Sequence, residues 1–217
     1  MPARGSVPAA PRMPDDLPDL DALDTDLDVY RARLVGDHSG AVGGGEIAVA
    51  LVDGADLSAS RFDPLTLTDV TLRRTDLSNA GWDGLTARRV LLDGCRTVGW
   101  RVNCVLADDL LVQDCRWEFG ALYLHRARGA VVFRDCTFTG STLRGDLSGV
   151  VFDGCELAGA ELAVSAAQGC DLRTSRLDGA RGLTTLRGAR ITTDQAVGIA
   201  DLIATEVGFQ LDDTGTG

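Results

Sequence analysis

The chain has 217 residues, 45% of them apolar, and a formal net charge of −11 with no lysine at all. That is enough apolar material for a folded core. It argues against a basic nucleic-acid-binding surface, and the lack of any run of eighteen apolar residues argues against a membrane-spanning helix. The charge is uneven: residues 1–40 hold eight Asp against four Arg, residues 45–187 nineteen acids against sixteen Arg, and residues 188–217 five acids against one Arg.

The first element in chain order is an acidic leader, residues 1–44. Met1 to Pro18 is rich in Pro and Asp and has no apolar signal core, and the protein is expected to be cytoplasmic. Leu20, Leu23, Leu27, Tyr30 and Leu34 recur at spacings of 3 and 4, which predicts an amphipathic helix over about 18–35. Pro18, Asp19 and Asp21 suit its start, and Arg31 and Arg33 its end. His38 is expected to be solvated. Gly40 to Gly45 reads as a flexible connector.

From Ala55 to Leu177 a large apolar residue returns about every fifth position: Leu57, Phe62, Leu67, Leu72, Leu77, Trp82, then Leu92, Val102, Val112, Trp117, and on to Phe152, Leu157, Leu162, Leu172 and Leu177. Two positions earlier stands a smaller or β-branched residue, as at Ala55, Ser60, Val70, Thr75, Cys95 and Cys115. A period of five is neither helical nor that of a long strand. Two inward positions around one outward position make a short strand, and the other two residues must turn a corner.

Ala55-Asp56-Leu57-Ser58-Ala59, Thr75-Asp76-Leu77-Ser78-Asn79, Cys155-Glu156-Leu157-Ala158-Gly159 and Cys170-Asp171-Leu172-Arg173-Thr174 resemble the repeats of the pentapeptide-repeat family, over residues 45–187. The resemblance implies an all-β solenoid, a right-handed quadrilateral β-helix of about seven coils with about twenty residues in each. An N-terminal amphipathic helix and a C-terminal capping helix would flank it. A repeat architecture is a scaffold and fixes no function.

On a twenty-residue coil, Cys95, Cys115, Cys136 and Cys155 form one inward column. Their spacings of 20, 21 and 19 predict a bulge near 120–131 and a return between Leu143 and Leu147. The column reads as packing, since a straight line of sulfurs does not converge on a metal. Cys104 falls on an outward corner and is expected to be accessible. Leu65, Leu85 and Val105 take a small-residue position facing Ala87, Ala107 and Ala127. One outer wall is apolar where solvent is expected: Leu91, Leu111, Val132 and Val151 form a ladder that something should cover. The leader helix is long enough to do so, and otherwise the ladder is the candidate interaction surface.

Residues 188–217 form the tail. Thr192 to Phe209 predicts a helix, capped by Thr193 or Asp194, with Ile199, Ile203 and Val207 on one side. These residues are candidates to cap the last coil or to pair two chains into a homodimer.

Chemistry is sparse. His125 falls near the phase slip and is expected to tuck against Ala127, and Asp108-Asp109 is an open corner pair without burial to shift a pKa. No catalytic residue, cofactor or metal site is expected, and the chain reads as a non-enzymatic scaffold or protein-binding module. The alternative, implied by the resemblance, is a DNA mimic that binds DNA gyrase or another type II topoisomerase and confers resistance to its inhibitors. Asp63, Asp83, Asp108 and Asp109 would be its acids. The arginines at 73, 74, 88, 89, 96, 101 and 116 interrupt that acidic face, and no direct contact with nucleic acid or membrane is expected.

Overall fold

The computed structural model describes residues 7–211. Its chain winds into a parallel β-solenoid of about seven turns. The strands are β1 (Asp19–Leu20), β2 (Asp26–Leu34), β3 (Val42–Asp53), β4 (Arg61–Arg73), β5 (Gly81–Asp93), β6 (Arg101–Gln113), β7 (Ala121–Leu124), β8 (Ala127–Arg134), β9 (Thr142–Asp146), β10 (Val151–Asp153) and β11 (Glu161–Ala166). Every pairing is parallel, and most stacked residues are twenty apart: Arg61 on Gly81, Gly81 on Arg101, Arg101 on Ala121. Corner residues lie in the left-handed region and stack as columns, with Ala59, Asn79, Gly99 and Phe119 in one and Val49, Asp69, Arg89 and Asp109 in another. This backbone demand explains the Gly, Asn and Asp content of the repeats.

Both expected slips are present. Asp108 pairs with Arg128 but Leu110 with Val131, so one extra residue enters at Gly129–Ala130. The register returns where Gly145 pairs with Val164 and Asp146 with Ala166. Between these points the cysteine column stays inward and buried. It belongs to a longer series of small donors that reach back one coil. Thr75 Oγ1 donates to the Val52 carbonyl at 3.3 Å, Cys95 Sγ to Leu72 at 3.4 Å, Cys155 Sγ to Phe133 at 3.3 Å and Ser175 Oγ to Phe152 at 2.9 Å. Beside this column runs a continuous aromatic stack of Phe62, Trp82, Trp100, Trp117, Phe138 and Phe152, with neighbouring ring centroids 4.5 to 5.9 Å apart. Gly120 makes room for it, because a Cβ there would stand 2.5 Å from the Trp100 carbonyl and 2.6 Å from the Trp117 ring.

Three sequence expectations about the path of the backbone need correction. The leader is not an amphipathic helix. Residues 26–34 are β2, which pairs with β3 from Asp26 on Gly44 to Leu34 on Val52, while β1 covers Arg33 and Leu34 from below. The inward residues are Leu27, Val29, Ala32 and Leu34, two strand alternations separated by the corner at Arg31 (φ 54°). Leu20 and Leu23 pack at the end of the core, and Tyr30 points outward, 68% exposed. A helix here would have left the edge of β3 unpaired, which a strand avoids.

Nor is Gly40–Gly45 a connector. Val42 onward is already strand, and Gly43 and Gly45 lie against the Thr25 and Leu27 carbonyls so closely that no Cβ would fit. At Gly45 (φ +137°) the backbone conformation also requires glycine.

The third correction concerns Cys104, which is buried rather than accessible, whereas Val105 is 47% exposed. Leu85 pairs with Cys104 and Thr86 with Leu106. The extra residue that precedes the inward Leu65 and Leu85, at Pro64 and Gly84, follows the inward Cys104 in the next coil.

The tail folds as two short helices, α1 (Thr193–Gly198) and α2 (Ala200–Glu206). Thr192, not the expected Thr193 or Asp194, caps α1, its Oγ1 accepting from the Gln195 N–H while the Gln195 side chain accepts from the Thr192 N–H.

Candidate interaction surface

Stacking by register places Leu51, Thr71, Leu91, Leu111, Val132 and Val151 in a single outward line across six coils. The four expected residues are therefore one ladder. Charged rails border it on both sides. Along one edge run Asp53, Arg73, Asp93, Gln113, Arg134 and Asp153, where Asp53 takes Arg33, Arg73 and Arg74, and Arg134 meets Asp153 at 3.2 Å. On the other edge is the corner column of Asp69, Arg89 and Asp109. Arg89 grips Asp69 with two bonds, Nε at 2.7 Å and Nη2 at 2.5 Å.

The leader meets the two ends of the ladder within the chain, though not through the element the sequence suggested. Residues 7–17 have no regular secondary structure and reach this wall at Val7, Pro8 and Arg12. Pro8 is buried, and it shares with Val7 a cleft of about 610 Å³ lined also by Val132, Val151 and Thr192. Further along, the Arg12 backbone N–H donates to Asp69 Oδ1 at 2.9 Å. Then the Pro18 carbonyl accepts from the Arg33 N–H at 2.7 Å. Val132 and Thr71, under the two ends of this path, are only 5% and 7% exposed, while Leu91, Leu111 and Val151 remain half-buried.

Asp69 is the electrostatic anchor. The Arg89 hydrogen bonds hold its carboxyl below the ordinary value of 3.8 against the opposing effect of burial, and the Arg12 N–H adds to the effect. Sequence reasoning passed over Asp69, Arg12 and Pro8, and took Arg89 only as an interruption of the acidic face. Asp69 and Arg89 lie one coil apart with opposite charge, a signal readable once the period is known.

Ile199, Ile203 and Val207 do not act alike. Ile199 is buried against the last coil, Ile203 packs partly on the core, and Val207 is 56% exposed. The Glu206 carboxylate accepts from the N–H groups of Gly182, Leu183 and Thr184 around a 3₁₀ turn (Leu183–Thr185), and Gln195 Nε2 donates to the Leu172 and Ser175 carbonyls. Burial opposes ionisation of Glu206, but the backbone donors prevail and lower its pKa.

The remaining candidates carry little chemistry. His38 is buried, not solvated, with Nε2 2.9 Å from the Val35 carbonyl. His125 is exposed rather than tucked against Ala127, and Nε2 lies 2.7 Å from Asn103 Oδ1. Asp109 Oδ1 accepts from the Ala130 N–H at 3.0 Å, tying down the bulge. An open groove of about 980 Å³ on another wall is lined by Asp63, Asp83, Arg101, Tyr123 and Arg144 among others. Among the described residues no His, Cys, Asp and Glu cluster is placed to hold a metal, and no helix is long and apolar enough to cross a membrane.

No family model matches the chain, and no curated protein does. Among solved structures, it is similar to full-length QnrB1, a plasmid-mediated fluoroquinolone resistance protein, at 18% identity and a TM-score of 0.45, covering 82% of this chain and 88% of that one. It is also similar to HetL, a pentapeptide-repeat protein involved in heterocyst differentiation regulation from the cyanobacterium Nostoc, at 18% identity and a TM-score of 0.24, covering 73% and 84%. A third is Rfr23, a pentapeptide-repeat protein from the cyanobacterium Cyanothece, at 14% identity and a TM-score of 0.15, covering 69% and 61%. The chain resembles pentapeptide-repeat proteins.

Proposed function

We propose that the protein is a non-enzymatic, cytoplasmic scaffold that binds a protein partner through the outer wall carrying Leu91, Leu111, Val132 and Val151. The observation that supports this reading best is the ladder itself. Outward positions of a solenoid need no apolar side chain for folding, yet six stacked coils give this line to Leu, Val or Thr. Charged rails beside an apolar centre have the make-up of a protein-recognition surface. The test is capture of a cellular partner by the wild type and by Leu91→Glu/Leu111→Glu. The variant should keep its circular dichroism and lose the partner. Equal capture by both would remove the wall from the reading.

A second reading is a DNA mimic that binds a type II topoisomerase. Asp63, Asp83, Asp108 and Asp109 would be its acids; Arg73, Arg74 and Arg89 pair with Asp53 and Asp69, and Arg89 also feels Asp108 and Asp109. A supercoiling assay with purified gyrase tests this; the absence of both inhibition and protection from inhibitors at micromolar protein would exclude it.

A further inference from the structure

We propose that the leader is a built-in pseudo-ligand, and that the partner of this wall presents an extended, proline-rich apolar segment that takes its place. This rests on the reading of the ladder as a protein-binding wall. The segment Val7-Pro8-Ala9-Ala10-Pro11-Arg12-Met13-Pro14 has the composition that favours an extended backbone without internal hydrogen bonds. Four residues from Pro8 to Arg12 reach about 14 Å when extended. Three strand spacings, the step from Val132 to Thr71, are also about 14 Å. That reach is enough for the leader to run along the ladder past Leu111 and Leu91 between its two anchor points.

Those anchors define what the wall recognises. One is the place beside Val132, Val151 and Phe152 where Pro8 is buried, in the wall of a cleft rimmed by Arg134, Asp153, Asp171 and Arg173. The other is a carboxylate, Asp69, held ready by Arg89 to accept one backbone N–H. Between them lies a half-buried apolar track with no hydrogen-bond demand, suited to a chain whose prolines lack donors. A partner segment needs the same pattern: apolar with proline at one end, and a free N–H about four residues on. Because the leader is tethered, it competes at an effective concentration in the millimolar range, so an incoming segment meets an occupied site and its apparent affinity falls by the fraction of time the wall is open.

The experiment uses the full chain and a fluorescent peptide with the sequence of residues 6–17 as probe. Pro8→Glu/Pro11→Glu should release the leader without touching the solenoid, and its thermal unfolding and circular dichroism check that. This variant should bind the probe at least tenfold more tightly than the wild type, and adding Leu111→Glu should abolish binding. A probe in which Pro8 and Pro11 are replaced by Glu should not bind. Equal binding to wild type and released variant overturns the leader as competitor, as does no binding to either at millimolar probe. Binding that survives Leu111→Glu places the probe elsewhere and overturns the proposal too. If Leu91→Glu/Leu111→Glu still loses the cellular partner while the probe fails, the wall stands as a binding surface and only the partner chemistry assigned here falls. If capture is also unaffected, the wall falls with it.

Discussion

Asp69 links the corner geometry, the wall and the leader in one side chain. It sits at φ 55°, receives two bonds from Arg89 and accepts the Arg12 N–H. Its folded-state pKa is depressed, so its contribution is complete above the ordinary value of 3.8 and is lost as pH falls through the lower folded value. Protection of the Arg12 amide from hydrogen exchange should therefore hold at neutral pH and vanish on strong acidification. Asp69→Asn should lower that protection at neutral pH and remove its acid dependence. Loss of the charged pair should cost about 1–2 kcal/mol.

The six cysteines make a second prediction at this scale. All are buried, and burial pushes the thiols of Cys104 and Cys170 up to about 12. The native protein should not react with a thiol reagent at neutral pH and should expose all six thiols in denaturant. Rapid reaction of one thiol in the native state, Cys104 above all, would show the coil near Cys104 to be open.

At the scale of elements, the tail is held by few but well-placed bonds. Glu206 satisfies three N–H groups of the final turn, and Gln195 both closes the capping box and donates to two carbonyls of the solenoid. Glu206→Gln should free the amides of Gly182, Leu183 and Thr184 to exchange faster and cost about 1–2 kcal/mol. Thr192→Ala should cost about 1 kcal/mol through the lost cap. If neither changes exchange at the last coil, the tail does not close it.

The repeats and both register slips were legible in the sequence because inward side chains at fixed spacing record the coil directly. The first coil was not. Its short, irregular strand places apolar residues at 27, 29, 32 and 34, and a helical wheel captures most of them if Val29 is left out. Gly43 and Gly45 read as a linker because glycine is also the only residue that fits where two backbones touch, and spacing cannot tell the two apart. Cys104 was misplaced by a bulge that moves from before the inward residue to after it. The wall was visible as a ladder, but its cover was sought in the most periodic part of the leader. The segment that reaches it spans residues 7–12, whose prolines carry no periodicity.

For the whole molecule, a solenoid is stable only if both ends of its core are closed. At the start, β1 with Leu20 and Leu23 does this, and at the finish the helices place Ile199, Leu202 and Ile203 on the last coil. We expect a chain truncated before Thr192 to expose the edge and core of that coil and to associate or precipitate, which light scattering will detect. The tail is also a candidate surface for pairing two full-length chains, since Val207 remains outward. A monomeric mass for the full chain at high micromolar concentration would exclude that pairing.

The column of rings through the middle coils has an optical consequence. Trp82, Trp100 and Trp117 follow one another, the last two stacked with their planes inclined by 30° and centroids 4.5 Å apart. Indoles that close share their electronic transitions, so the far-ultraviolet dichroism should carry a paired positive and negative signal beyond that of the backbone, and excitation of one ring should migrate to its neighbours before emission. The protein therefore holds an unlabelled gauge of its central coils. Parting them by a single strand spacing would erase the coupling while leaving most of the β-structure, and with it the backbone signal, intact.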